Sequence, residues 1–176
     1  CEDPQADDAC GRCNSCHLVG AGTHPDYHLI YRQLIRLTKK DSKARDLSID
    51  VVREYLLEPA SRKSTKGQGK VFVLEEAQTM TRDAANAILK TLEEPQGRTL
   101  IILLTDQPES LLPTIRSRCQ TIRFSSLPDE LIVSRLAEKG IDPRTAELAA
   151  HMAQGSLGLA LQWAEDGIVA RATPLH

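Results

Sequence analysis

Apolar residues in this chain fall first into short unbroken runs. "KVFVLEEA", residues 70–77, runs apolar from Val71 to Leu74 and stops at two carboxylates. "RTLIILLT", residues 98–105, does the same and stops at Thr105. Such runs, bounded by polar residues, read as strands buried on both faces, as in a parallel sheet. Between them "TRDAANAILKTLEEP", residues 81–95, has a helical period instead. Ala84, Ala85, Ile88, Leu89 and Leu92 make one stripe, Thr81 can cap the helix, Asp83 sits in its first turn and Pro95 follows its end. Strand, helix and strand of these lengths form a βαβ unit, so the two strands are expected to be parallel and adjacent or nearly so.

The same reading extends along the chain. "YHLIYRQL", 27–34, begins as a strand, and "KKDSKARD", 39–46, is a charged loop. "SIDVVREYLLEPA", 48–60, reads as a helix capped by Ser48 and stopped by Pro59, with Val51, Val52, Tyr55 and Leu56 on one face. "SRKSTKGQGK", 61–70, is a basic, glycine-containing loop. "LLPTIRSR", 111–118, predicts a short helix, and "QTIRFSSL", 120–127, a third strand. After Pro128 the pattern changes to three short helices, each closed by a glycine: Gly140, Gly155 and Gly167. The expected class is α/β: a parallel sheet flanked by helices over 1–127, then a small helical domain over 128–176.

Composition narrows the function. The formal net charge is −2 with 26% charged residues, so nucleic-acid contact would need a local patch or a larger assembly. Aromatic residues are 3%, which disfavours a base-stacking platform. No apolar run approaches a membrane span, and no signal peptide opens the chain; a cytoplasmic protein without membrane contact is expected. The chain starts at Cys1, inside a patterned segment, and ends at "ATPLH", so it is expected to be a piece of a longer protein.

Four of the five cysteines crowd the first 16 residues: Cys1, Cys10, Cys13 and Cys16. Two overlapping C-x2-C steps suit thiolate ligation of one tetrahedral Zn²⁺, and four sulfurs leave no open position, so the site would be structural. Gly11, Asn14 and Ser15 tolerate the turn geometry that such a knuckle needs. A redox pair, free thiols and an iron–sulfur cluster remain alternatives, and His17, His24 and His28 are substitute ligands should Cys1 fray.

In open α/β sheets, ligands bind beyond the carboxyl ends of the strands. Glu75 and Glu76 end one strand there, and Thr105 and Asp106 end the next. Paired acids after an apolar strand suit a Walker B role, one holding Mg²⁺ and the other polarising water, with Thr105 placed to orient that water. Acids also end strands merely because solvent begins there. The chain has no G-x-x-x-x-G-K-[ST], and "KGQGK", 66–70, precedes a strand where a phosphate loop should follow one.

As a set, "KVFVLEEAQTMTRDAANAILKTLEEP" and "TLIILLTDQPESLLPTIRSRCQTIRF" closely resemble bacterial DNA polymerase III clamp-loader subunits, which are AAA+ proteins. "CGRCNSCHLVGAGTHPDYHLI" resembles the zinc module inserted in their first domain, and the resemblance covers nearly the whole chain. "HPDYHLI" and "SIDVVREYL" look more like the delta-prime type than gamma/tau. The resemblance implies an AAA+ type sheet with a zinc module over about 1–26 and a small helical lid domain. It also implies a P-loop region upstream and a C-terminal collar domain downstream. Cys1, Cys10, Cys13 and Cys16 match the zinc ligands, and Glu75 and Glu76 match the Walker B acids. Thr105 matches sensor 1, and Ser117, Arg118 and Cys119 match the SRC motif. Two positions depart from the pattern. Glu75 stands where Asp is usual, shifting a carboxylate by roughly one C–C bond, about 1.5 Å. Gly158, in "GSLGLAL", stands where the sensor 2 arginine would be.

These departures imply a subunit that hydrolyses no ATP itself, a stator within the DNA polymerase holoenzyme. Arg118 then reads as an arginine finger aimed at the ATP and Mg²⁺ of a neighbouring gamma/tau subunit. Delta, the sliding clamp and primed DNA are the further partners implied. Arg116 reads as support for Arg118 or as the partner of a local acid, and Cys119 as a small buried residue. The alternatives are a gamma/tau-like ATPase whose P-loop lies upstream, and a free-standing zinc-dependent nucleic-acid binder. The acidic balance and the scarce aromatics count against the second.

Overall fold

The computed structural model describes residues 1–4, 8–40 and 43–171. Residues 5–7 of the expected zinc module, 41–42 of the charged loop and 172–176 of the expected lid domain lie outside the described residues.

Three strands form one parallel sheet in the order β1-β2-β3: β1 Tyr27–Ile30, β2 Lys70–Leu74 and β3 Thr99–Leu103. β2 and β3 are direct neighbours, joined through helix α5, Arg82–Glu93, as the βαβ reading requires. Thr81 caps α5 by accepting the Ala84 N–H at 3.3 Å. Only the first half of 27–34 is a strand, because the chain turns into a 3-10 segment at Arg32–Leu34 and then the short helix α2, Ile35–Thr38.

Register sorts the side chains onto two faces. His28, Phe72 and Ile101 lie abreast on one face, as do Ile30, Leu74 and Leu103. That face packs into the core with Val51, Val52, Leu56, Ala84, Ile88 and Ile115. His28 stacks on Phe72 with ring centroids 4.7 Å apart, and burial pushes its pKa down. The other face carries Leu29, Val73 and Ile102 abreast, and Tyr27, Val71 and Leu100. It is open in part: Leu29 is 41% and Leu100 56% exposed, while Val73 between them is buried.

Two expectations are corrected. Pro59 does not end the helix from Ser48, which runs as α3 Ile49–Val52, a π-helical stretch Arg53–Leu57, and α4 Glu58–Ser61. Proline has no N–H to give, and its ring crowds the carbonyl four residues back. The wide π turn just before Pro59 relieves both conflicts. Ser48 occupies the cap position, but its hydroxyl makes no capping hydrogen bond. Second, residues 120–127 form no strand. Ile122 and Phe124 have the right composition, yet they are 71% and 92% exposed. Among the described residues no ladder partner meets their backbone, and β-propensity without a neighbour's N–H and C=O does not make a strand.

The chain divides into two compact units, residues 1–121 and 122–176, upstream of the 127/128 boundary expected from the sequence. The second unit holds α7 Asp129–Glu138, α8 Pro143–Met152, α9 Leu157–Glu165 and α10 Ile168–Arg171, the last of which the sequence pattern did not indicate. Ile132, Leu136, Ala146, Ala149, Ala150 and Ala160 form its core. Gly155, at φ +89°, lets the chain pass against Ser126; a Cβ there would sit 2.3 Å from the serine's own. Its carbonyl accepts the Leu127 N–H at 3.0 Å.

Candidate functional site

Two polar sites lie at opposite ends of the sheet. At the amino ends of the strands is the cysteine cluster. Cys13 caps the short helix α1, Asn14–Gly20, by accepting the Cys16 N–H at 3.4 Å on its sulfur. The Sγ atoms of Cys1, Cys10, Cys13 and Cys16 all lie within 4.8 Å of one another, and no disulfide joins them. Two pairs, Cys10–Cys16 and Cys1–Cys13, are 4.0 Å apart. Four thiolates around one tetrahedral ion with metal–sulfur bonds of about 2.3 Å stand roughly 3.8 Å apart. The cluster therefore fits one metal ion. Backbone N–H groups aim at the sulfurs as well: Glu2 at Cys13 (3.5 Å) and Cys10 at Cys1 (3.4 Å). The N–H groups of Glu2 and then Cys16 lower the Cys13 pKa to about 6, favouring the ligating thiolate, while the hydrogen bond to Cys13 raises that of Cys16.

Next to this cluster is a cavity of about 600 Å³, whose lining includes Cys1, Val19, Tyr27, Lys66, Arg98 and Leu100. The loop beside it is braced from within. Buried Asp26 accepts the N–H groups of Thr65 (2.7 Å) and Lys66 (2.8 Å). Lys70 is also buried, and its ammonium donates to the carbonyls of Pro59 (3.0 Å), Ala60 (2.5 Å) and Arg62. Lys70, the second lysine of "KGQGK", thus closes the carboxyl end of α4 and is not free to meet a phosphate. Sequence reading missed this pair. The signal was a lysine opening an apolar strand, which is ambiguous without its partners.

At the carboxyl ends of the strands the structure gathers Glu75, Glu76, Thr105 and Asp106. The Glu75 N–H donates to Ile30 at 2.9 Å, prolonging the ladder. Glu76 adopts a left-handed backbone at φ 49° and is ion-paired to Arg32, Nε to Oε2 at 2.9 Å. Arg32 also donates to the Arg45 carbonyl at 3.2 Å. The Thr105 hydroxyl accepts the Gln107 N–H at 3.0 Å, and Asp106 accepts from Gln78 at 2.9 Å. Arg32 was not singled out from sequence, although an arginine two residues past the end of a strand is the available sign.

The SRC segment lies on the turn after α6, Pro113–Arg116, and is not part of the Glu75–Thr105 group in its contacts. The Arg118 Nε donates to Glu93 Oε1 at 2.6 Å, and its Nη2 meets the same oxygen. Its Nη1 donates to the Thr114 carbonyl at 2.9 Å and to Ser117 Oγ at 3.3 Å. Ser117 in turn donates to the Thr114 carbonyl at 3.2 Å. Arg118 remains 35% exposed. Cys119 packs against the core, and burial pushes its thiol pKa up, as suits a packing residue more than a nucleophile. Gly158 lies exposed in the first turn of α9, where a Cβ would meet nothing within 4 Å.

A protein-family model described as DNA polymerase III, delta subunit, matches residues 1–128. The chain is 38% identical over 162 residues to DNA polymerase III subunit delta' of Escherichia coli, covering 92% of this chain and 46% of that protein. It is 36% identical over 143 residues to the subunit delta' of Bacillus subtilis, covering 81% and 40%. To the E. coli subunit tau it is 31% identical over 174 residues, covering 96% and 25%. The chain spans less than half the length of these relatives. Among solved structures, a DNA polymerase III gamma subunit-related protein of Thermotoga maritima superposes with TM-score 0.61 at 25% identity, covering 86% of this chain and 48% of that one. A RuvB mutant from Thermotoga maritima shares the fold, with TM-score 0.56 at 14% identity over 90% of this chain and 51% of that one.

Proposed function

The chain belongs to the family described as DNA polymerase III, delta subunit, and we propose that it acts as the delta-prime-type member of a clamp loader. In this reading it turns over no ATP itself and lends Arg118 to the ATP site of a neighbouring gamma/tau subunit. Gamma/tau and delta are its partners, and through the assembly it serves the sliding clamp and primed DNA in the cytoplasm. Zn²⁺ held by Cys1, Cys10, Cys13 and Cys16 is structural and takes no part in chemistry. ATP and Mg²⁺ belong to the neighbour.

The observation that carries this reading is the ion pair made by Arg32 at the carboxyl ends of the strands. Arg32 closes on Glu76, the acid that would serve the chain's own nucleotide, at 2.9 Å. Arg118 is paired as well, to Glu93, but it lies on the turn after α6 and makes no contact with that acid group. Glu75 in place of the usual Asp, and Gly158 in place of an arginine, support the same division of labour. Higher identity to delta' than to tau agrees with it. A guanidinium stays charged and forks onto phosphate oxygens. It would stabilise the charge that gathers on the γ-phosphate as water displaces the β–γ bridging oxygen.

The test is Arg118→Ala in the full-length protein, assembled with its gamma/tau and delta partners. Fingers typically contribute about 10³-fold or more at the site they serve. Single-turnover hydrolysis at the adjoining site is expected to fall by a large factor while assembly, followed by gel filtration, is unchanged. Undiminished hydrolysis at that site would remove the finger and leave Arg118 a surface charge.

A further inference from the structure

We propose that Glu93 is a positioning residue for Arg118, holding its guanidinium ready for the neighbour's nucleotide. This rests on the reading of Arg118 as a finger. Glu93 is the last residue of α5, so its backbone is anchored by a helix that packs Ala84, Ala85 and Ile88 into the core. Arg118 comes from a different element, the turn after α6. Glu93 takes the Nε edge of the guanidinium, with 2.6 Å from Nε to Oε1 and the Nη2 contact to the same oxygen. Thr114 and Ser117 take Nη1. What remains is a hydrogen on Nη2, so the approach of a phosphate oxygen is restricted to one end of the fork.

Local rules do not account for an acid at this position. The carboxyl end of a helix carries partial negative charge, which disfavours a carboxylate there, and Glu94 adds a second acid beside it. The arginine offsets the local conflict. A free arginine side chain samples many rotamers, and ordering it before docking removes that cost from the encounter. The pair is partly exposed, at 35% for Arg118 and 47% for Glu93. It is therefore screened, strong enough to bias the rotamer and weak enough for a phosphate to share the arginine.

The test compares wild type, Glu93→Gln, Arg118→Ala and the double variant, each as full-length protein in the assembled loader. ATPase stimulated by clamp and primed DNA is measured as kcat and KM, with melting and gel filtration as controls. Glu93→Gln is expected to assemble and melt normally and to lower kcat about three- to fivefold with KM unchanged, the range an exposed pair allows. In the Arg118→Ala background the same change is expected to do nothing more. A normal rate in Glu93→Gln beside a depressed one in Arg118→Ala overturns the positioning role and leaves the finger. Equal losses in both backgrounds also overturn it, since Glu93 would then act apart from Arg118. No loss in Arg118→Ala removes the finger, and this proposal with it.

Discussion

Cys13 shows how much a single position in this chain is asked to do. Its sulfur caps α1, receives N–H groups from Glu2 and Cys16, and stands 4.0 Å from Cys1. Those N–H groups favour thiolate, the form that binds metal. Cys13→Ser keeps a capping oxygen but removes one soft ligand. In the full-length protein we expect about one equivalent of zinc in wild type and a marked loss in the variant, measured by metal analysis after dialysis. Equal zinc in both would show that the four sulfurs do not form the site. Arg118 and Glu76 teach the complementary lesson. Each was legible as a charged residue in a meaningful place, but neither partner, Glu93 nor Arg32, lies near it in sequence. The separations are set by how β1, α5 and α6 return to neighbouring points.

At the scale of elements, agreement was best where local and tertiary preferences coincide. In α5 the stripe, the Thr81 cap and the acidic first turn all specify one helix. Thr81→Ala is expected to destabilise the protein by about 1 kcal/mol, read as a lowered denaturant midpoint at constant slope. A shift below a few tenths of a kcal/mol would mean that solvent or another group satisfies the freed N–H. Disagreement appeared where local signals were incomplete. Pro59 reads as a stop, but tertiary packing of Leu56 and Ala60 holds the helix through it, and the π turn absorbs the misfit. "QTIRFSSL" reads as a strand, yet strands exist only in ladders, and among the described residues the segment's backbone forms none; Leu127 alone donates, to Gly155.

For the described span as a whole, the main physical tension is the partly uncovered face of the sheet. Parallel sheets are ordinarily covered on both faces, yet Leu29 and Leu100 are exposed on one face of this one, on either side of buried Val73. A polypeptide of this span is therefore expected to bind a hydrophobic dye and to self-associate with rising concentration. Leu29→Glu with Leu100→Glu should suppress both without lowering the melting temperature appreciably, since neither side chain is buried. Dye binding and association that survive the double change would place the sticky surface elsewhere.

The sequence by itself determined the parallel βαβ unit, the helical character of the described residues after 128, the cysteine quartet and the kinship that follows from its motifs. Those features depend on periodicity, spacing and capping, which act between residues close along the chain. Tertiary structure alone decided that Lys70 seals a helix end, that Arg32 occupies Glu76, that Glu93 holds Arg118, and that 120–127 is not a strand. Each of those depends on which distant groups arrive within hydrogen-bond reach. A charge or a backbone carbonyl acts through such distances, and a one-dimensional pattern does not contain them.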